Sequence, residues 1–146
     1  QASDRALHSR ADLAALGSAQ LAAQQAYLIA GLSPADICLA EVHDCFTIAE
    51  IIASEDLGFF APGEGWRAAA EGRTARNGDR PINASGGLKA KGHPVGASGV
   101  AQVVELWTQM RGQAGARQVP GDLRLGLAHN VGGTGQTCVV HIVGRG

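Results

Sequence analysis

Short apolar runs alternate with helix-length segments along this chain, and that alternation limits the folds open to it more than any other feature. "SAQLAAQQAYLIAG" sets Leu21 and Leu28 seven residues apart, with Ala22, Ala26 and Ile29 alongside, and closes on Gly31, the pattern of a helix with a C-terminal glycine. "SPADICLAEV" runs from a turn into a short strand, roughly Ile37 to Val42. "HDCFTIAEIIASEDLG" predicts a second helix capped by Asp44 and ended by Gly58. "GEGWRAAAEG" reads as a short surface helix, "GRTARNGDR" as a polar turn and Pro81 to Asn83 as a brief strand. "GASGVAQVVELWTQMRG" puts Val100, Val103, Val104, Trp107 and Met110 on one face of a strongly periodic helix. "LRLGLAHN" and "TCVVHIV", joined by "VGGTG", predict a closing antiparallel hairpin, whereas residues 1 to 17 are polar and irregular. The order predicts one layered α/β domain over 1–146: a mostly parallel sheet, the C-terminal hairpin, and helices on both faces.

Composition excludes several function classes. Hydrophobic residues at 45% and charged ones at 17% belong to a globular chain. A net charge of −1, with Lys and Arg scattered, leaves no footprint for nucleic acid or an anionic membrane, and aromatics at 4% leave no stacking platform for single strands. No apolar run nears the roughly 20 residues of a membrane helix. The start, "QASDRALHSRADLA", has neither an initiator Met nor an apolar signal core, and predicts a chain processed or excised from something longer. Three cysteines, an odd count without metal spacing, fit a reducing compartment and a cytoplasmic location. His43, Asp44, Cys45, His93 and His129 contain no paired zinc-type spacing, so no metal is expected. His8 reads as a surface residue, His141 as a strand residue, and Cys38 and Cys138 as core.

Binding groups of such folds gather where strands end and loops begin. Three segments stand there: His43 to Phe46, the loop around His93, and His129 to Gly135. In "HDCF", a helix starting at Asp44 or Cys45 would aim its free amides at Cys45 and lower the thiol pKa. The plainer reading makes Cys45 a small buried hydrophobe and Asp44 only a cap. "GGLKAKGHPVGASG" fails as a phosphate cradle, because Gly92 is followed by His93 and not by Lys and Ser or Thr, and it lacks the dinucleotide spacing. Its glycines let a ligand or another backbone approach His93; alternatively His93 only bonds its own loop. In "AHNVGGTGQ" the glycines are a hairpin turn or supply an amide to a developing oxyanion, with His129 and Asn130 at the mouth of the same cleft.

Together these loops resemble the C-terminal half of a thiolase, over about Asp12 to Val143. "GGLKAKGHPVGASG" resembles the thiolase G-H-P loop, and "EVHDCF" resembles the H-D-C-F form of the second motif found in the sterol-carrier-protein-type thiolases, where most thiolases carry N-E-A-F. "NVG" stands where most thiolases have C-x-G, with Asn130 at the cysteine's place; the cysteine missing there reappears as Cys45.

The resemblance implies carbon–carbon bond formation or cleavage next to a coenzyme A thioester, an acyl-CoA substrate and no covalently bound cofactor. It implies that His93 activates the acylated cysteine and donates to a thioester oxygen. It further implies that His43 stabilises an enolate oxygen, that Cys45 moves protons, and that the Gly132 amide serves an oxyanion hole. The acylated cysteine and most of the coenzyme A loop belong to the family's N-terminal half, which is therefore the implied partner. The implied first strand of the C-terminal domain also lies outside this chain. The resemblance further implies a homo-oligomer for the full-length protein, and this chain alone is expected to have no turnover. Two other expectations accompany this one: a thiolase-like retro-aldolase working with a small partner protein, which tends to carry tyrosine at the Cys45 position, and a non-catalytic acyl-CoA-binding or assembly domain.

Overall fold

The computed structural model describes residues 1–146. In chain order its elements are β1 (Ala2–Ser3), α1 (Gly17–Ala30), β2 (Leu39–Glu41), α2 (Thr47–Asp56), α3 (Gly65–Ala70), α4 (Gly87–Lys91), α5 (Ser98–Met110), β3 (Leu125–Gly132) and β4 (Thr137–Gly144). One sheet holds all four strands in the order β1-β4-β3-β2. β2 runs parallel to β3, with Leu39 opposite Gly126 and Glu41 opposite Ala128. β3 and β4 form the antiparallel hairpin, from Leu125 opposite Gly144 to Gly132 opposite Thr137.

The α/β class and the closing hairpin agree with the sequence pattern, but the sheet is mixed and not mostly parallel. Parallel pairing is confined to β2 with β3 and to an isolated bridge between Ala40 and Ile82, which is all that the expected strand at Pro81–Asn83 contributes. A parallel neighbour needs a long crossover, and the chain supplies one, through α2 to α5; β4 follows β3 by a short turn and must run antiparallel. Residues 1–17, read as irregular, add β1 along the other side of β4, with Ala2 opposite Cys138.

Helices cover both faces because successive residues of β3 point to opposite sides. Leu127 joins the larger cluster with Ala19, Ala22 and Tyr27 of α1 and Ala53 of α2. Ala128 joins the smaller one with Leu106 and Met110 of α5. α1 ends as expected at Gly31, which takes the left-handed conformation at φ +66°. Its buried face, however, is Ala19, Ala22, Ala23 and Tyr27, and Leu28 and Ile29 are 83% and 86% exposed. Small side chains let the helix lie close on the sheet, which a count of large apolar residues does not reveal.

α5 departs from its expected stripe in the same way. Met110 and Leu106 are buried, but Val100, Val104 and Trp107 face outward while Gln102, Glu105 and Gln109 are buried. The buried polar groups are matched. Gln102 Nε2 donates to His129 O at 2.9 Å, and Glu105 pairs with Arg117 at 3.0 Å. Gln109 donates to Arg117 O at 2.9 Å and accepts the Val119 amide at 2.8 Å. Hydrogen bonds replace apolar contact as the reason for burial.

Two core groups make the fold sensitive to alkali. Burial pushes the Cys138 thiol up to about 12, and burial also raises the Tyr27 phenol, against an opposing effect of Arg80. The folded chain keeps protons that the unfolded chain releases, so this stability is complete below the ordinary thiol value of 9 and is lost as pH climbs toward 12. Between pH 9 and 11, unfolding free energy from urea melts is expected to fall by about 1 kcal/mol per pH unit for Cys138. Cys138→Ala should flatten the first part of that slope; a flat profile in the unsubstituted chain would contradict the assignment.

Candidate active site

β2 delivers the "HDCF" segment to the end of the sheet, where two contacts fix it. The Val42 amide donates to Asn83 Oδ1 at 2.8 Å, and the His43 amide faces His129 Nδ1 at 3.4 Å. Asn83 adopts φ +53°, a left-handed conformation that asparagine tolerates better than most residues. His43 is buried, and its ring meets that of His93 edge-on, with centroids 4.8 Å apart and planes at 83°. Burial, reinforced by His93, lowers the His43 pKa against an opposing effect of Asp44, so the ring is neutral at pH 7.

Asp44 does not cap α2. It accepts the Leu88 amide at 2.8 Å and so ties "HDCF" to α4, a short helix inside the glycine loop that the sequence pattern did not reveal. Gly87 has φ +64°, and a Cβ there would land on the Asp44 carboxylate, so this glycine serves the junction of the two motifs. α2 begins only at Thr47, which leaves Cys45 outside its first turn. The thiol is exposed, and its pKa is raised: desolvation outweighs the Phe46 and Cys45 amides that lower it, and Asp44 adds to the rise. The depressed value expected of a helix-start thiol is thereby corrected. The dipole effect fades within the first turn, and Cys45 stands before it beside a carboxylate.

His93 is exposed, and its Nδ1 lies 2.8 Å from Ser98 Oγ. Ser98 has one hydroxyl proton, which it donates to Pro94 O at 3.2 Å. With that proton on Pro94 O, His93 Nδ1–H donates to Ser98 and Nε2 keeps a lone pair for a proton; either way Ser98 occupies Nδ1 and leaves Nε2 facing away from it. Ser98 is the residue that sequence reasoning missed; its signal was its place as the first residue of α5, five positions after His93.

β3 brings the third segment. His129 is wholly buried, and its pKa is pushed down to about 3 by burial and then by His43. Asn130 donates to Gln102 at 3.3 Å. Gly132 ends the strand, and a Cβ there would only touch Thr137 at 3.8 Å, an ordinary contact, so the chain's own packing does not demand glycine. His43, Cys45, His93, Asn130 and Gly132 all line one cleft of about 610 Å³. The four expected site residues, His43, Cys45, His93 and Gly132, are thus brought together from three separate segments. No three His, Cys, Asp or Glu side chains come close enough to share a metal ion.

Residues 1–145 match the family model described as thiolase C-terminal domain-like. The chain belongs to this thiolase family. It is 54% identical over 140 residues to an acetyl-CoA acetyltransferase of Methanothermobacter thermautotrophicus, covering 96% of this chain and 36% of that protein. It is 48% identical over 111 residues to sterol carrier protein 2 of Bos taurus, covering 76% of this chain and 20% of that protein. Among solved structures, an Ltp2-ChsH2(DUF35) aldolase superposes with a TM-score of 0.82 at 28% identity, over 99% of this chain and 37% of that one. The thiolase domain described here therefore spans about a third or less of the length of these relatives.

The raised thiol pKa of this thiolase domain has a direct chemical test. Alkylation by iodoacetamide consumes thiolate, so at pH 7 Cys45 should react more slowly than a free cysteine despite its exposure. Peptide mass spectrometry against pH should place its inflection above the ordinary thiol value. An inflection below pH 8 would show a poised thiolate instead.

Proposed function

We propose that this domain supplies the acid–base machinery of an acyl-CoA thiolase, catalysing thiolysis of 3-oxoacyl thioesters or the reverse Claisen condensation. The convergence of His43, Cys45, His93 and Gly132 on one cleft carries the reading. In the cleavage direction, a cysteine from the remainder of a complete thiolase gives its proton to His93 Nε2 and attacks the 3-oxo carbon. The Gly132 amide donates to the oxygen that becomes negative there. As the C2–C3 bond breaks, its electron pair moves into the departing thioester as an enolate, whose oxygen is met by N–H donors of His43 and His93. Cys45 then gives its S–H proton to C2, and a raised pKa keeps that proton in place at neutral pH. Coenzyme A thiol finally gives its proton to the Cys45 thiolate and attacks the acyl-enzyme; its sulfur takes the acyl group, and the released cysteine recovers the proton held on His93.

The remainder of such a thiolase would pack on the outward stripe of α5, where Val100, Val104 and Trp107 are 64%, 55% and 54% exposed. On this reading the 146-residue chain alone cleaves no acetoacetyl-CoA, and a complete thiolase containing it does. Turnover by the isolated chain, or none by the complete protein, would refute the reading.

A second reading, a retro-aldolase acting on coenzyme A esters, is favoured by the aldolase with the matching fold. It differs at Cys45: an aldol cleavage has no need of that thiol, so full activity of Cys45→Ala would move the assignment there.

A further inference from the structure

A second cavity of about 320 Å³ adjoins the cleft. Its walls are largely apolar, with Leu13 and Leu16 from the segment before α1, Ile48 and Ile52 from α2, and Val131 from β3, and it reaches His43 and Cys45. Three buried side-chain polar atoms in the whole chain lack a hydrogen-bond partner: Arg10 Nη2, His43 Nδ1 and His129 Nε2. All three residues line this one cavity. Unmatched buried polar atoms are rare in folded proteins, and their gathering around a single apolar space points to something that fills it.

The donor sense of two of them follows from their surroundings. His129 Nδ1 faces the His43 amide, so the proton sits on Nε2, and this N–H is a donor left without a partner on a residue that lines the cavity. Arg10 donates only; its Nε bonds Arg5 O at 3.2 Å, and none of the ion pairs of the chain includes it. The two donors lie apart. Arg10 packs against Gly135, in the turn beyond β3, whereas His129 is three residues inside that strand, about 10 Å before its end. An unbranched acyl chain can fill the stretch between them, but a plain alkyl end would leave the guanidinium unmatched, and a carboxylate would not.

We propose that this cavity is a subsite for an acyl thioester whose chain ends in a carboxylate, with Arg10 on the carboxylate and His129 Nε2–H on an oxygen nearer the thioester. The proposal rests on the acyl-thioester reading of the adjoining cleft and names the substrate class within it.

The test uses two N-acetylcysteamine thioesters of equal chain length, hexanoyl and adipoyl, titrated into the 146-residue chain while the methyl signals of Leu13, Ile48 and Ile52 are followed by NMR. Adipoyl is expected to bind at least 10-fold tighter, and Arg10→Gln is expected to abolish that preference while hexanoyl binding is kept. Ile52→Phe, which fills the cavity with an apolar ring, is expected to weaken both ligands. Equal binding of the two thioesters at these methyl groups would overturn the carboxylate subsite and leave the acyl-thioester reading standing. A preference that survives Arg10→Gln, or shifts confined to other parts of the chain, would also overturn it. Binding of neither thioester would overturn it as well, and the thiolysis assay of the complete thiolase then judges the wider reading separately.

Discussion

His93→Ala in a complete thiolase containing this chain is expected to lower kcat for acetoacetyl-CoA thiolysis by on the order of 10³-fold. On the proposed mechanism the side chain has two tasks that alanine cannot perform, taking the nucleophile's proton and donating to the thioester oxygen. Its Nε2 is free for both because Ser98 occupies Nδ1 at 2.8 Å. Ser98→Ala should therefore act through His93, with a smaller loss, about 10-fold, and a displaced pH–rate profile, since the ring loses the partner that fixes its tautomer. A merely structural serine would lower stability without moving that profile. Steady-state kinetics across pH 6 to 9 for both variants would decide, and less than a 10-fold loss in His93→Ala would remove the imidazole from the chemistry.

Leu106→Ala has the largest expected effect on the fold. Leu106 is wholly buried and holds α5 against the sheet, so closely that a Cβ on Gly126 would come within 3.0 Å of its Cδ2. Removing three carbons there forfeits their transfer energy and leaves a space that a helix resting on a strand can close only in part, at a cost of about 3 kcal/mol. α5 also carries Ser98 and Gln102, so the loss should loosen His93 and Asn130 as well. Val104→Ala, two residues earlier and so on the outward face, should cost under about 0.5 kcal/mol in the isolated chain. Urea melts of the two variants separate the faces. Equal losses would mean that the outward stripe carries the packing instead.

The contrast between these two positions shows what the sequence made legible. Apolar periodicity located α5 and its length, yet assigned Val100, Val104 and Trp107 to the core face. Its buried side is partly polar, and glutamine burial becomes intelligible only once a strand carbonyl such as His129 O is seen to receive it. α1 was legible for the same reason and misread in the same way, because alanines, not leucines, allow the close approach to the sheet. Chain order revealed the three loops, since strand ends meet wherever a sheet forms, and the resemblance to thiolases picked out the four residues within them. It did not reveal that Asp44 reaches across to Leu88, which shifts the helix start to Thr47 and leaves Cys45 with a raised pKa. Such a contact spans 44 residues and has no local signature. The two-residue strand at Ala2–Ser3 was equally silent, for it exists only by pairing with β4.

The central claim, that Cys45 moves the proton at the reacting carbon, is tested most directly by exchange of the C2 hydrogens of acetyl-CoA in heavy water by a complete thiolase containing this chain. Unsubstituted protein is expected to exchange them, and Cys45→Ala is expected to lose exchange by 10²-fold or more, on the order of a general acid–base contribution, while still binding the thioester. Exchange that persists undiminished in Cys45→Ala would contradict the account and assign the proton transfer to another group.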